Sequence, residues 1–178
     1  MTEPRSLIPD SHLAATGHVA NMIATLELQI DLGIWELVGA PQQLIACVTG
    51  QFVSVHPRLN AFIGLAELLG ASDDTLKALR AFHGEMGGLA EKRNRLVHDP
   101  RMMNQRTGKV GRLQITAKPK PHFGFISETD EEVNDVGNQI GAKISEFVAL
   151  RDKVISELSP LREKSLSQLK GIAPHPAA

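Results

Sequence analysis

The chain has 178 residues, with 19 Lys and Arg against 20 Asp and Glu for a formal charge of −1, and 42% of it is hydrophobic. That suits one globular domain with enough apolar material for a core, and it excludes a disordered chain. The single cysteine, Cys47, excludes an internal disulfide and a thiolate metal cluster and fits a reducing cytoplasm. Its expected place is the core, as a small apolar residue. No stretch approaches the roughly 18 apolar residues of a membrane helix, and the first residues lack the basic-then-apolar pattern of a signal peptide. A soluble, unprocessed cytoplasmic protein is the expectation.

From residue 11 to 38, Val19, Ile23, Ile30, Ile34 and Leu37 recur largely at three- and four-residue steps, which predicts a long amphipathic helix ending at Gly39. Pro41 opens a short helix closed by Gly50, and Pro57 a second, with the stripe Leu59, Phe62, Ile63, Ala66 and Leu69, stopped by Gly70. Ser72 followed by Asp73 and Asp74 predicts a helix start, and that helix runs to His98. Gly84, Gly87 and Gly88 make it a candidate for a break, or for close approach of a neighbouring helix at Gly84 and Gly88. After Asp99-Pro100, Leu113 and Ile115 alternate with polar residues, and Phe123 and Phe125 share one face of a second extended run. This predicts a short β-hairpin over about 110–126, its phenylalanines covering the bundle. Thr129 and Glu132 form a capping box for a last long helix over 129–158, ended by Pro160. Residues 161–178 would add a short helix and a flexible tail to a single domain over 1–160. The fold class is thus all-α, a helical bundle with two short helices and one hairpin.

The near-neutral total conceals an uneven distribution. Between Lys92 and Ile126 lie nine basic residues and one acid, Asp99, while the remainder carries ten bases and nineteen acids. Such a segment is a footprint for phosphate or another polyanion, with Arg95, Arg101, Arg106, Lys109 and Arg112 as candidate contacts; alternatively it is a solvated basic face.

Several enzyme classes lack their signatures: there is no Gly-x-Gly-x-x-Gly, no Walker lysine loop, no Gly-x-Ser-x-Gly elbow, no His-Glu-x-x-His and no Glu-x-x-His. The seven histidines are scattered along the chain, so neither a metal nor another cofactor is expected. What remains is the run from Glu91 to Pro100. The apolar stripe Leu76, Leu79, Phe82, Met86 and Leu89 reaches Arg93 at its next inward position. A guanidinium there needs a partner, with Glu27 of the first helix the first candidate and Glu91 the second. A purely structural Arg93–Glu27 pair remains an open alternative.

Arg93-Asn94-x-x-x-His98, at the C-terminal end of a long helix and followed by an irregular segment and a last long helix, resembles the Arg-x4-6-His motif of HEPN domains, in which a polar residue, often asparagine, follows the arginine. The likeness spans about residues 17–158. Asp99-Pro100-Arg101 departs from the glycine and aromatic that follow the histidine in many relatives. The resemblance implies a homodimeric, metal-independent endoribonuclease on single-stranded RNA, a toxin with a protein antitoxin being one such role. Arg93, Asn94 and His98 would be its catalytic residues and Glu27 their support. Histidine exchanges protons near neutral pH, arginine answers the charge developing on phosphate, and Asn94, four residues before His98, shares its helical face. The alternative is a non-catalytic HEPN-like module that binds RNA, nucleotide or a protein, or that only dimerises.

Overall fold

The computed structural model describes residues 8–116 and 122–170. Five helices and three strands follow in the order α1 (Asp10–Val38), α2 (Gln42–Thr49), α3 (Val55–Leu68), α4 (Asp73–His98), β1 (Arg101–Met103), β2 (Val110–Thr116), β3 (His122–Ser127) and α5 (Asp130–Lys170). The protein is mostly helical, with one small antiparallel sheet in the order β1-β2-β3.

Local chemistry sets the helix ends. Gly39 stops α1 at φ 67°, donating its N–H to the Trp35 carbonyl, a left-handed conformation that costs glycine nothing. Gly70, at φ 91°, turns the chain out of α3. The Ser72 hydroxyl then caps α4 by accepting from the Thr75 N–H at 3.4 Å, and Glu157 of α5 accepts from the Ser72 N–H at 3.2 Å and the Thr75 hydroxyl at 2.6 Å. One helix is thereby pinned across the bundle to the start of another. At α5 the capping box is reciprocal: Glu132 accepts from the Thr129 N–H at 2.8 Å and Thr129 from the Glu132 N–H at 3.1 Å.

The core lies where α1 packs along α5 and where α3 and α4 close the bundle. At its centre the fully buried Phe62 (α3), Phe82 (α4) and Phe147 (α5) stack around Phe147, with ring centroids 5.3 and 5.7 Å apart. The close helix approaches fall at other glycines than those expected. A methyl on Gly33 would come within 2.8 Å of the Phe62 ring and one on Gly137 within 2.3 Å of the His18 ring, whereas nothing lies within 4 Å of Gly84 or Gly88. Nor do the glycines break α4, which is continuous.

Three further expectations need correction. The last helix does not end before Pro160 but continues to Lys170. The proline removes one N–H, and buried Val154 and Leu158 fix the turns before it. Cys47 is exposed rather than in the core, because the short α2 turns Ile45 and Thr49 inward. The phenylalanines of β3 do not cover the bundle. In the register Leu113↔Phe125 and Ile115↔Phe123 both sit on the outer sheet face, Phe123 being 74% and Phe125 37% exposed, while the half-buried Ile126 faces inward. The hairpin also has a third strand. β1 pairs with β2 through a turn in which Gly108 takes φ 67°, and three residues are too few to show an alternating pattern in sequence. The predicted tail over 171–178 lies outside the described residues. Among those described, no helix is long and apolar enough to cross a membrane.

Candidate functional site

The last two turns of α4 carry the motif. Arg93 is half-buried and donates from Nη1 to the Asn94 Oδ1 at 2.9 Å. Its Nε is buried without a hydrogen-bond partner among the described residues. Asn94 and His98 are exposed one turn apart on the same face, and no described residue hydrogen-bonds the His98 ring. The two imidazole nitrogens therefore face water, and the asparagine bridges the angular gap between arginine and histidine.

Glu27 stands near this motif, but its nearest cation is one that the sequence reading missed. Arg58 of α3 lies 3.7 Å from Glu27 and donates from Nε to Asp31 at 3.1 Å and from Nη1 to the Ser54 carbonyl at 3.2 Å. Burial raises the Glu27 carboxyl above its ordinary range. Arg58 and then Arg93 pull it back, and Asp31 adds to the rise. Asp31 is likewise raised by burial against the opposing charge and hydrogen bond of Arg58. Arg93 thus acts on Glu27 through space, with no salt bridge between them, and Glu91, the second candidate, is exposed. The signal for Arg58 was present: stepping four residues back from Leu59 and Phe62 gives Val55 and Arg58, both buried. Asp31 follows Glu27 by one helical turn.

Two of the scattered histidines also meet. The rings of His56 (α3) and His83 (α4) are edge-to-face with centroids 4.9 Å apart. Burial and then the His56 charge hold His83 below its usual range, and its Nε2 is buried without a hydrogen-bond partner among the described residues. Among the described residues no group of three or more His, Cys, Asp or Glu could hold a metal ion.

The basic segment divides into two populations. Arg101 and Arg112, opposite each other in β1 and β2, both bind Glu128, with Arg112 at 2.7 Å. Arg112 also reaches Asp99 at 2.8 Å, and Arg101 donates to the Leu96 carbonyl. Burial works against the Arg112 charge, and the hydrogen bonds to Glu128 and Asp99 overcome it, holding the guanidinium more firmly protonated than usual. Arg95 pairs with Asp99 at 3.7 Å. Arg106 and Lys109, in contrast, are exposed in the β1–β2 turn. The residues after His98 that depart from the HEPN pattern are therefore the fastening of the sheet to α4. Between α4, the inner sheet face and the start of α5 lies an open cleft of about 670 Å³, floored by Leu96, Ile126, Val133 and Val136 and rimmed by charges of both signs, including Lys92, Arg95 and Arg112. Arg93, Asn94 and His98 do not line it.

No family model matches the chain, and neither a curated protein nor a solved structure shows significant similarity to it.

Proposed function

We propose that the chain is a HEPN-like, metal-independent endoribonuclease acting on single-stranded RNA as a homodimer. The observation that carries this reading is the end of α4, where an exposed histidine with no partner among the described residues shares a face with an asparagine already bonded to the motif arginine. In the proposed reaction a base takes the proton of the ribose 2′-hydroxyl, whose oxygen attacks the adjacent phosphorus. The bond to the 5′-oxygen breaks, and that oxygen takes a proton from an acid. The products end in a 2′,3′-cyclic phosphate and a 5′-hydroxyl. His98 exchanges the protons, Arg93 stabilises the charge on the phosphorane oxygens, and the Asn94 amide holds Arg93 and donates to phosphate. Each chain supplies one such histidine, so separate acid and base require two copies about a two-fold axis. Cytoplasmic action, a toxin role and a protein antitoxin belong to the same proposal.

The test is His98→Ala. It leaves the fold and the basic surface intact, so RNA cleavage should slow at least about a hundredfold while binding persists. Wild-type cleavage should survive a chelator and fail on RNA carrying 2′-deoxy residues at the scission sites. Wild-type activity in His98→Ala, or cleavage of the deoxy-substituted strand, refutes the mechanism. A specific observation favours a second reading. The Arg93 guanidinium is half-buried, beside Glu27, and bonded to its own neighbour, as a structural arginine would be. Purified protein that cleaves no RNA supports that reading, a non-catalytic HEPN-like binding and dimerisation module.

A further inference from the structure

Phe123 and Phe125, the two exposed phenylalanines among the described residues, lie on the outer face of the sheet, and the ribonuclease chemistry makes no use of it. Met102, Ile115, Phe123 and Phe125 all lie on this face and are exposed. Four large apolar side chains together on one sheet face mark an interaction surface. Its side chains pack on one another across the strands. Phe125 stands opposite Leu113 and leans over Gly111, where an added Cβ would come within 2.8 Å of its ring, and Phe123 stands opposite Ile115. Beneath it, Arg101 and Arg112 fasten the sheet to Glu128.

Its charge identifies the occupant. From Pro100 to Ser127 the sequence contains no Asp or Glu. The two arginines on the inner face are neutralised there, whereas Arg106 and Lys109 are exposed in the turn beyond the Phe125 end of the strands. A second copy stacked face to face would bring two acid-free basic segments together, an arrangement that like-charge repulsion opposes. A polyanion that also carries flat apolar faces satisfies both halves of the surface. We infer that the outer face of this sheet binds single-stranded nucleic acid, with Phe123 and Phe125 stacking on bases and Arg106 and Lys109 contacting phosphates. The rings are two residues apart on one strand, about 7 Å, twice the 3.4 Å base repeat of a stacked strand. They therefore suit a stretched strand, one base to each ring. Single-strand readers that lack sequence preference combine the same two elements, aromatic platforms and a cationic track.

This inference rests on the ribonuclease reading only in taking RNA as the natural strand, so its test uses a strand that cannot be cleaved. Binding of a labelled 2′-deoxy oligonucleotide of about twelve residues is followed by fluorescence anisotropy at low and at physiological salt. Wild type should bind, more weakly as salt rises. Phe123→Ala should weaken binding about tenfold or more, the scale of one aromatic–base stack. Phe123→Trp should bind like wild type, with its added indole emission quenched by the oligonucleotide. The paired substitution of Arg106 and Lys109 by Gln should flatten the salt dependence. Because Phe125 packs on Gly111, its Leu variant is used alongside Ala, and both should weaken binding even where only Ala lowers stability. Absence of wild-type binding at low salt, or unchanged affinity in Phe123→Ala, overturns the inference, whatever the cleavage assay shows. So does a Phe123→Ala defect confined to self-association or to binding of anionic lipid vesicles. Phe123-dependent binding by a protein that cleaves no RNA overturns the ribonuclease reading and leaves this one standing.

Discussion

Replacing Arg58 by methionine isolates the ion network that joins α1 to α3 beside the motif. The methionine keeps most of the aliphatic stem and removes the charge, together with the bonds to Asp31 at 3.1 Å and to the Ser54 carbonyl at 3.2 Å and the contact with Glu27 at 3.7 Å. All three charged side chains are largely shielded, with 11% exposure for Arg58, 23% for Glu27 and 13% for Asp31. At such sites a pair at about 4 Å attracts by about 4 kcal/mol at an effective dielectric of 20. Desolvation of the ions nearly offsets that attraction while the cluster is intact, so removal of the cation leaves two carboxylates desolvated and uncompensated. The expected loss at pH 7 is about 3 kcal/mol, the scale of breaking a buried pair from one side.

The pH dependence of this loss has a definite sign. Both carboxyls are raised by burial even with Arg58 present, so between their unfolded and folded values the native state binds more protons, and stability falls as pH rises through that window. Without Arg58 the window extends upward, and below the ordinary carboxylate range the loss shrinks to packing and the Ser54 bond. Urea denaturation at pH 7 and at about pH 3 measures both quantities. Adding Glu27→Gln and Asp31→Asn to Arg58→Met should recover most of the loss at pH 7. A loss under about 1 kcal/mol, the same loss at both pH values, or no recovery in the triple variant would show that the network is solvated and the reasoning wrong.

The remaining predictions concern other parts of the fold. Glu157→Gln should cost about 1 kcal/mol in a denaturant titration, the scale of losing a helix cap. Hydrogen bonds from Thr75 and Ser72 hold that carboxyl below its ordinary value, so its contribution is present above the unfolded value and fades as pH falls through the lower folded one. Gly33→Ala should destabilise by roughly 1–3 kcal/mol by pressing a methyl onto Phe62, whereas Gly84→Ala, with nothing within 4 Å, should stabilise by up to about 1 kcal/mol. Thermal melts showing the same sign for both would contradict the packing. Light scattering at micromolar concentration should give twice the chain's 19.3 kDa, and a monomer would exclude a two-histidine composite site.

How far the sequence disclosed this architecture depended on the range of the interaction involved. Helix ends are local events, so Gly39, Ser72 and the Thr129/Glu132 box were legible from neighbours within four residues. The motif on α4 was legible for the same reason, since Asn94 and His98 need only one helix to share a face. Partnerships between helices were not. Arg93 and Arg58 both occupy inward positions, and periodicity alone does not reveal which of them approaches Glu27 within 4 Å. The His56–His83 contact joins α3 to α4 across 27 residues, and nothing local to either histidine in the sequence links the two. The phenylalanines of β3 show a different limit. Alternation correctly grouped Phe123 with Phe125, but the side of a sheet that meets a bundle is set by tertiary contacts, and here the polar pair Arg101 and Arg112 took it.

That inversion bears on how the site and the sheet work together. Arg112 ties β2 to Asp99, the residue immediately after His98, and Arg101 ties β1 to the Leu96 carbonyl and to Glu128, two residues before α5 begins. A sheet that used its apolar side against the bundle would be positioned by side-chain packing, since apolar attraction itself has no preferred direction. Charge-assisted hydrogen bonds are directional, so this sheet is held in one register against the end of α4. Its apolar side is thereby left to solvent, and His98 stands next to Asp99 at the junction of the helix and the sheet. Replacing Glu128 by Gln weakens two of these fastenings at once. It should therefore reduce RNA cleavage and oligonucleotide binding together, although Glu128 touches neither reacting atoms nor the aromatic face. Loss of one without the other in Glu128→Gln would show that the two surfaces are independent, and that the arginine pair serves stability alone.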